Sequence, residues 1–416
     1  MDRPLRQPQD ERFGKPALVT VGIATLIYFL DGLIHSILGP LAPDIARSLA
    51  LGNGELGPIF SANLAGQCIG LVVFPVLAGR FGHRLPVILA VLGFGAMQSA
   101  SALAWDATSL FALRLATGIF LGGCLPSCLA MVTAVAPTGK RGLAITTLFT
   151  GYGAGATAAG VTAAAFGDWR AATVAVGVVS IVAGVVAWLW LREPPARVDE
   201  ADGANEGGGV LAVLRLLAPR YLFGTLILWL LWIAMLTISY CLNSWLPIML
   251  VESGRDESYA TLSVSIFSFG GIVAALGVGL LIDRLGATRV LVAFTLLAAI
   301  VLFAIGQTMA TAPLTVLTPL LAAGGFFSLG AYGGVNVVLA GYYPDALRAT
   351  GIGWAKSVGR IGTVIAPILI GFGLEAGFAA TAVMSLFAVP ALIAAFALVA
   401  IGYSVRAEMR RGPVPV

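Results

Sequence analysis

Apolar residues follow one another along this chain in long, nearly unbroken runs, and polar residues collect in the short gaps between them. Twelve such runs stand out, at roughly 17–41, 56–78, 86–104, 108–135, 142–166, 171–191, 221–250, 260–282, 290–309, 313–342, 349–374 and 379–404. Each is near the ~20 residues that a helix needs to cross a hydrocarbon core about 30 Å thick. The pattern predicts an all-α membrane protein of twelve transmembrane helices. The only long polar stretch, "REPPARVDEADGANEGGG" at 192–209, is rich in proline, glycine and acids and reads as a flexible linker. It divides the chain into a tail (1–16), a six-helix bundle (17–191), a linker (192–220), a second six-helix bundle (221–405) and a second tail (406–416).

Charge then orients this pattern. Only 11% of the 416 residues are charged, against about 25% in soluble domains, and 59% are apolar. Placing the N-terminus in the cytoplasm puts most of the 24 lysines and arginines on that side. Arg47, Arg170 and Arg255 fall on the other side, and Arg114, Lys356 and Arg360 lie within spans. The positive-inside rule therefore predicts a multi-pass protein of a bacterial inner membrane with both termini cytoplasmic. The net charge of +4 is a topology signal, and no nucleic acid partner is implied.

The two halves echo each other. "AGRFGHR" (78–84) and "IDRLGATR" (282–289) both join the second and third helices of their half, and "APTGKRG" (136–142) and "YPDALRATG" (343–351) both join the fourth and fifth. Two six-helix repeats with matching basic loops suggest a transporter whose site lies between them near mid-membrane.

With these loops the chain resembles the major facilitator superfamily over nearly all of its length. That family's loop motif, Gly-x-Leu-x-Asp-Arg-x-Gly-x-Arg, is nearly intact at Gly279, Leu281, Asp283, Arg284 and Gly286, followed by a displaced Arg289. In the first half Pro75 and Gly79 stand where glycine and aspartate are usual, while Arg80, Gly82 and Arg84 remain. An acid–base loop of this kind can latch one conformation. Arg80, Arg84, Asp283 and Arg284 are its candidate residues, and the second copy, which keeps its acid, is expected to matter more.

Within the superfamily the chain is most similar to the aromatic acid:proton symporters, through "FLDGLIHSILGPLAP" (29–43), "LRLATGIFLGGCLPSCLA" (113–130), "SYCLNSWLP" (239–247) and "YPDALRATGIGWAKSVGRIGTVIAP" (343–367). Asp31 and Gly32 match the Asp-Gly-aromatic-Asp opening of that family, but Leu33 and Ile34 replace the aromatic and the second acid. Ala134 stands where an acid is common before the Ala-Pro that ends the fourth helix. The resemblance implies import of a small aromatic carboxylate with protons. Alternatives are export or exchange of another organic anion or hydrophobic compound, and a membrane sensor that does not transport.

Charges within the spans supply the candidate chemistry. Asp31 is the one acid deep in an apolar run, and a buried acid needs either a partner or a task. Arg114, Lys356 and Arg360 give a cationic surplus suited to an anion, because carboxylate–guanidinium pairs form strong bidentate hydrogen bonds. Lys356 and Arg360 are one turn apart on a common face, as are Asp31 and His35. Asp31, held by Arg114, is the expected proton-coupling acid, with His35 assisting. Tyr240, Asn243 and Trp245 offer an aromatic wall with a polar edge for a ring-bearing ligand.

Several classes are excluded. Cys124 and Cys128 share a helix face, but no histidine or acid nearby in the sequence completes a metal set. No phosphate-binding Gly-x4-Gly-Lys-Ser/Thr loop occurs, so an ATP-driven pump is not indicated. The fifth run, "GYGAGATAAG" at 151–160, lacks the Gly-Pro pair usual in drug:proton antiporters. No nucleophile–base–orienter set suggests an enzyme. No cofactor is expected. The expected partners are an organic anion, protons and the bilayer, with a monomer as the working unit.

Overall fold

A computed structural model describes residues 13–193 and 215–411. Residues 1–12 of the first tail, 412–416 of the second and most of the linker therefore lie outside the described residues, and the last helix runs on into the expected second tail. The chain is helical throughout: α1 (Lys15–Leu49), α2 (Asn53–Phe81), α3 (Arg84–Ala100), α4 (Ala107–Val135), α5 (Arg141–Phe166), α6 (Trp169–Trp190), α7 (Pro219–Glu252), α8 (Glu257–Leu285), α9 (Ala287–Thr308), α10 (Leu314–Tyr342), α11 (Asp345–Glu375), α12 (Ala380–Leu386) and α13 (Ala388–Arg411). The twelve expected spans are all helical. The last is interrupted at Phe387, three residues before Pro390, because proline removes a backbone donor and clashes with the preceding turn.

Among the described residues, eleven helical segments are long and apolar enough to cross a membrane, α12 and α13 together forming the last. The helix left out is α5. Its 26 residues span about 39 Å, but its threonines and glycines dilute its hydropathy. Large apolar side chains such as Val72, Leu276, Leu280 and Phe396 are exposed. Large apolar side chains left exposed in this number call for lipid.

Two compact units emerge. The first comprises Met1–His35, Ala62–Ala158 and Phe166–Arg197; the second comprises Ser36–Ser61, Ala159–Ala165 and Val198–Val416. In the first unit α3 packs on α4 and α6, and in the second α7 packs on α11 while α8 and α9 pack on α10. Glycine makes the closest approaches possible. A Cβ at Gly155 would strike the Phe29 carbonyl, and one at Gly118 would strike that of Asn63. Backbones thus touch where small residues meet, as is common between membrane helices.

Helix ends are capped by local acids. Asp106 accepts from Ser109 N at 2.7 Å at the start of α4, and Asp168 accepts from Ala171 N at 2.9 Å at the start of α6. The Ser109 hydroxyl, and then its backbone N–H, hold the Asp106 carboxyl below the usual carboxylate range. The three arginines expected on the far side are all engaged. Arg47 pairs with Glu257 at 2.5 Å, Arg170 donates to the Ala102 carbonyl, and Arg255 donates to the carbonyls of Met309 and Ala312. Asn53 adds a 2.5 Å hydrogen bond to Glu252, and Ser61 donates to the Val364 carbonyl at 2.6 Å. These last contacts, with Arg47–Glu257, lie within the second unit.

Candidate functional site

In the first unit, α1 presents Asp31 and His35 one turn apart. Among the described residues Asp31 is the one buried acid, at 6% exposure, and Arg114 of α4 the one buried base, at 2%. Asp31 lies close enough to Cys124 for their charges to interact. The Sγ atoms of Cys124 and Cys128 are 3.8 Å apart, and no group of three or more metal-binding side chains occurs among the described residues. The Arg114 Nε has no hydrogen-bond acceptor, so part of a buried guanidinium stays unsatisfied. Leaving such a donor buried is costly unless another state or a ligand supplies its acceptor.

His35 Nδ1 stands 3.1 Å from Gln67 Nε2, and since that amide nitrogen can only donate, Nδ1 accepts. The rings of Tyr28 and Tyr152 are 5.2 Å apart, and Tyr152 is 6.2 Å from His35. Gly118, one turn from Arg114 on the same face, lies against the Asn63 backbone, and Asn63 Oδ1 is itself buried without a donor. Asn63, Gln67 and Tyr152 were not singled out by the sequence. As isolated polar residues in apolar runs they resemble ordinary helix-packing positions, and only the fold gathers them.

The second unit holds the other cluster. Lys356 Nζ lies 5.4 Å above the Trp232 ring, and Tyr332 meets Trp232 edge-on at 5.6 Å. Tyr332 is within electrostatic reach of Tyr240 and Arg360, and Lys356 of Arg360. Three of the expected residues, Tyr240, Lys356 and Arg360, therefore share one neighbourhood, joined by Trp232 and Tyr332. Asn243 donates to the Ser239 carbonyl at 2.7 Å, and its Oδ1 is 3.5 Å from Ser268 Oγ. Trp245 is fully buried, 5.1 Å from Phe60, which rules out a lipid-facing anchor.

The two loops differ in whether an acid is engaged. Gly82 and Gly286 turn the two equivalent loops with φ of 76° and 86°, a conformation that favours glycine. In the second loop Asp283 and Arg284 are exposed, and no hydrogen bond or ion pair of Asp283 with a described residue is found. In the first loop Glu193, near the start of the expected linker, accepts from the backbone N–H groups of His83 and Arg84, each at 2.7 Å. Arg84 also donates to the Trp188 carbonyl at 2.6 Å, while Arg80 is exposed. Glu193 thus supplies at the N-terminus of α3 the carboxylate that Gly79 lacks.

Comparison with known proteins identifies the family. The Major Facilitator Superfamily profile matches residues 24–294 and 238–415. A gallate transporter of Pseudomonas putida is 31% identical over 408 residues, covering 91% of this chain and 90% of that protein. A 4-hydroxybenzoate transporter of the same organism is 31% identical over 410 residues, again covering 91% and 90%. Among solved structures, a D-xylose-proton symporter superposes with a TM-score of 0.77 at 17% identity, covering 92% of this chain and 97% of the other. With the profile spanning most of the sequence, and relatives at this identity over nine-tenths of it, the chain is a membrane transporter belonging to the Major Facilitator Superfamily.

Proposed function

We propose that the protein imports a small aromatic carboxylate together with protons, by alternating access, across a bacterial inner membrane with both termini cytoplasmic. The observation that carries this reading is the basic pair of α11 beside an aromatic cluster: Lys356 over Trp232, with Arg360 one turn along near Tyr332. An ammonium and a guanidinium together offer a carboxylate charge-assisted hydrogen bonds. The aromatic faces beside them suit a flat, ring-bearing body. Support comes from relatives named for gallate and 4-hydroxybenzoate.

Asp31 is the group we assign to the coupled proton. A buried carboxylate pays a large desolvation cost when ionised, and a nearby guanidinium offsets it. A change in how closely Arg114 compensates Asp31 would then load or release a proton during the cycle. His35, hydrogen-bonded to Gln67 and one turn along α1, is the second group on the same path.

Uptake by the purified protein in liposomes tests the reading, using labelled aromatic acids and their amides with and without an imposed pH gradient. The acids should accumulate only with the gradient, and the amides should not. Equal uptake of acid and amide would remove the carboxylate assignment, and accumulation indifferent to the gradient would remove proton coupling.

A further inference from the structure

We propose that Trp232 determines specificity within this carboxylate site, its indole N–H reading a second oxygen at the far end of the substrate's ring; this rests on the aromatic-acid reading above. Trp232 is 1% exposed, and its Nε1 is buried without a hydrogen-bond acceptor. A buried donor with no acceptor is costly and marks a place where a ligand oxygen would be favoured. The indole is also held in a fixed direction. Lys356 lies over its face at 5.4 Å, and Tyr332 abuts it at an interplanar angle of 78°. Gly359 lets α11 come this close to α7, since a Cβ there would meet the Leu236 side chain and the Trp232 Cβ and backbone.

This geometry separates two demands on the ligand. The Lys356 ammonium stands above the ring plane, whereas an indole N–H points along that plane. A carboxylate drawn to Lys356 approaches across the ring face, so the in-plane N–H is better met by a separate oxygen. A rigid, flat acid with an oxygen at its other end can satisfy both. Because the indole nitrogen only donates, the second group must be an acceptor. Trp229 and Trp245 also have N–H groups without acceptors, but they pack against Trp354 and Phe60, and no cation lies over either ring among the described residues.

Equilibrium binding of para-hydroxybenzoate, para-formylbenzoate and para-methylbenzoate tests the inference on the full-length protein and on Trp232→Phe, which keeps an aromatic face but lacks the donor. In the unmutated protein the two acceptor-bearing acids should bind about tenfold more tightly than the methyl analogue. In Trp232→Phe that preference should fall to within about threefold, whatever the absolute affinity of the methyl acid becomes. A preference that survives the substitution overturns the role of Trp232 while leaving the transport reading intact. If Trp232→Phe does not fold, the unmutated protein still decides, because equal binding of the formyl and methyl acids overturns the inference. Failure of all three acids to bind would overturn both this inference and the function on which it rests.

Discussion

Replacing Glu193 by alanine removes both acceptors that the α3 N-terminus uses, the two carboxylate oxygens 2.7 Å from His83 N and Arg84 N. Loss of a helix cap costs about 0.5–2 kcal/mol. Glu193 is exposed, so solvent screening puts its value near the lower half of that range, about 1 kcal/mol. If the contact forms in only one conformation of the transport cycle, the substitution shifts the conformational equilibrium by about fivefold. Counterflow rates at saturating substrate in proteoliposomes should change by a similar factor, while the thermal midpoint in detergent moves by only a few degrees. Asp283→Ala should leave both quantities close to those of the unmutated protein, since its side chain is exposed and engages no described residue. Equal counterflow rates for Glu193→Ala and the unmutated protein would mean that the cap persists in every state and latches nothing. A larger effect from Asp283→Ala would return the latch to the second loop, where the motif alone locates it.

Three further outcomes are expected. Asp31→Asn should abolish accumulation driven by a pH gradient while exchange without a gradient persists; accumulation that survives would pass the proton to another group, with His35 next in line. Because Asp31 is proposed to compensate the buried Arg114, folding is checked first by size-exclusion chromatography and thermal melting. Lys356→Met and Arg360→Gln should each weaken carboxylate binding about ten- to a hundredfold, the value of a charge-assisted hydrogen bond, with amide analogues unaffected in titration calorimetry. A double-mutant cycle on Arg47 and Glu257 should give a coupling of no more than about 1 kcal/mol in thermal unfolding, because both side chains are substantially exposed; a larger coupling would show that the pair is less screened than its exposure implies.

How far the sequence could be read depends on which signal each feature leaves. Uninterrupted apolar runs made the helices legible, because lipid allows few spanning structures and a helix satisfies its own backbone. Asp31 and Arg114 were legible for a related reason, since a charge in such a run stands out against its neighbours. Lys356 and Arg360 announced themselves through their one-turn spacing. Trp232 and Tyr332 did not, because aromatic residues in apolar helices are ordinary, and only the packing of α11 on α7 shows which ones meet a cation. Glu193 was hidden differently. It opens a stretch whose composition reads as linker, and its contact with residue 83 depends on α6 returning beside the α2–α3 turn. Gln67 likewise gains its meaning only when α2 lies beside α1.

The glycine contacts between helices bear on how this protein can be stabilised for handling outside a membrane. Gly→Ala exchange in helices is a common stabilising strategy, adding about 0.4–1 kcal/mol by restricting the unfolded chain. Here it divides by site. At Gly155 and Gly118 a carbonyl oxygen of the facing helix occupies the place a methyl group would need, so alanine would force the backbones apart. At Gly22 and Gly277 no atom lies within 4 Å of the added carbon, so the same exchange has room. A stabilised variant is therefore best sought at the second kind of position, leaving the first as fixed points that sequence drift and engineering alike must respect.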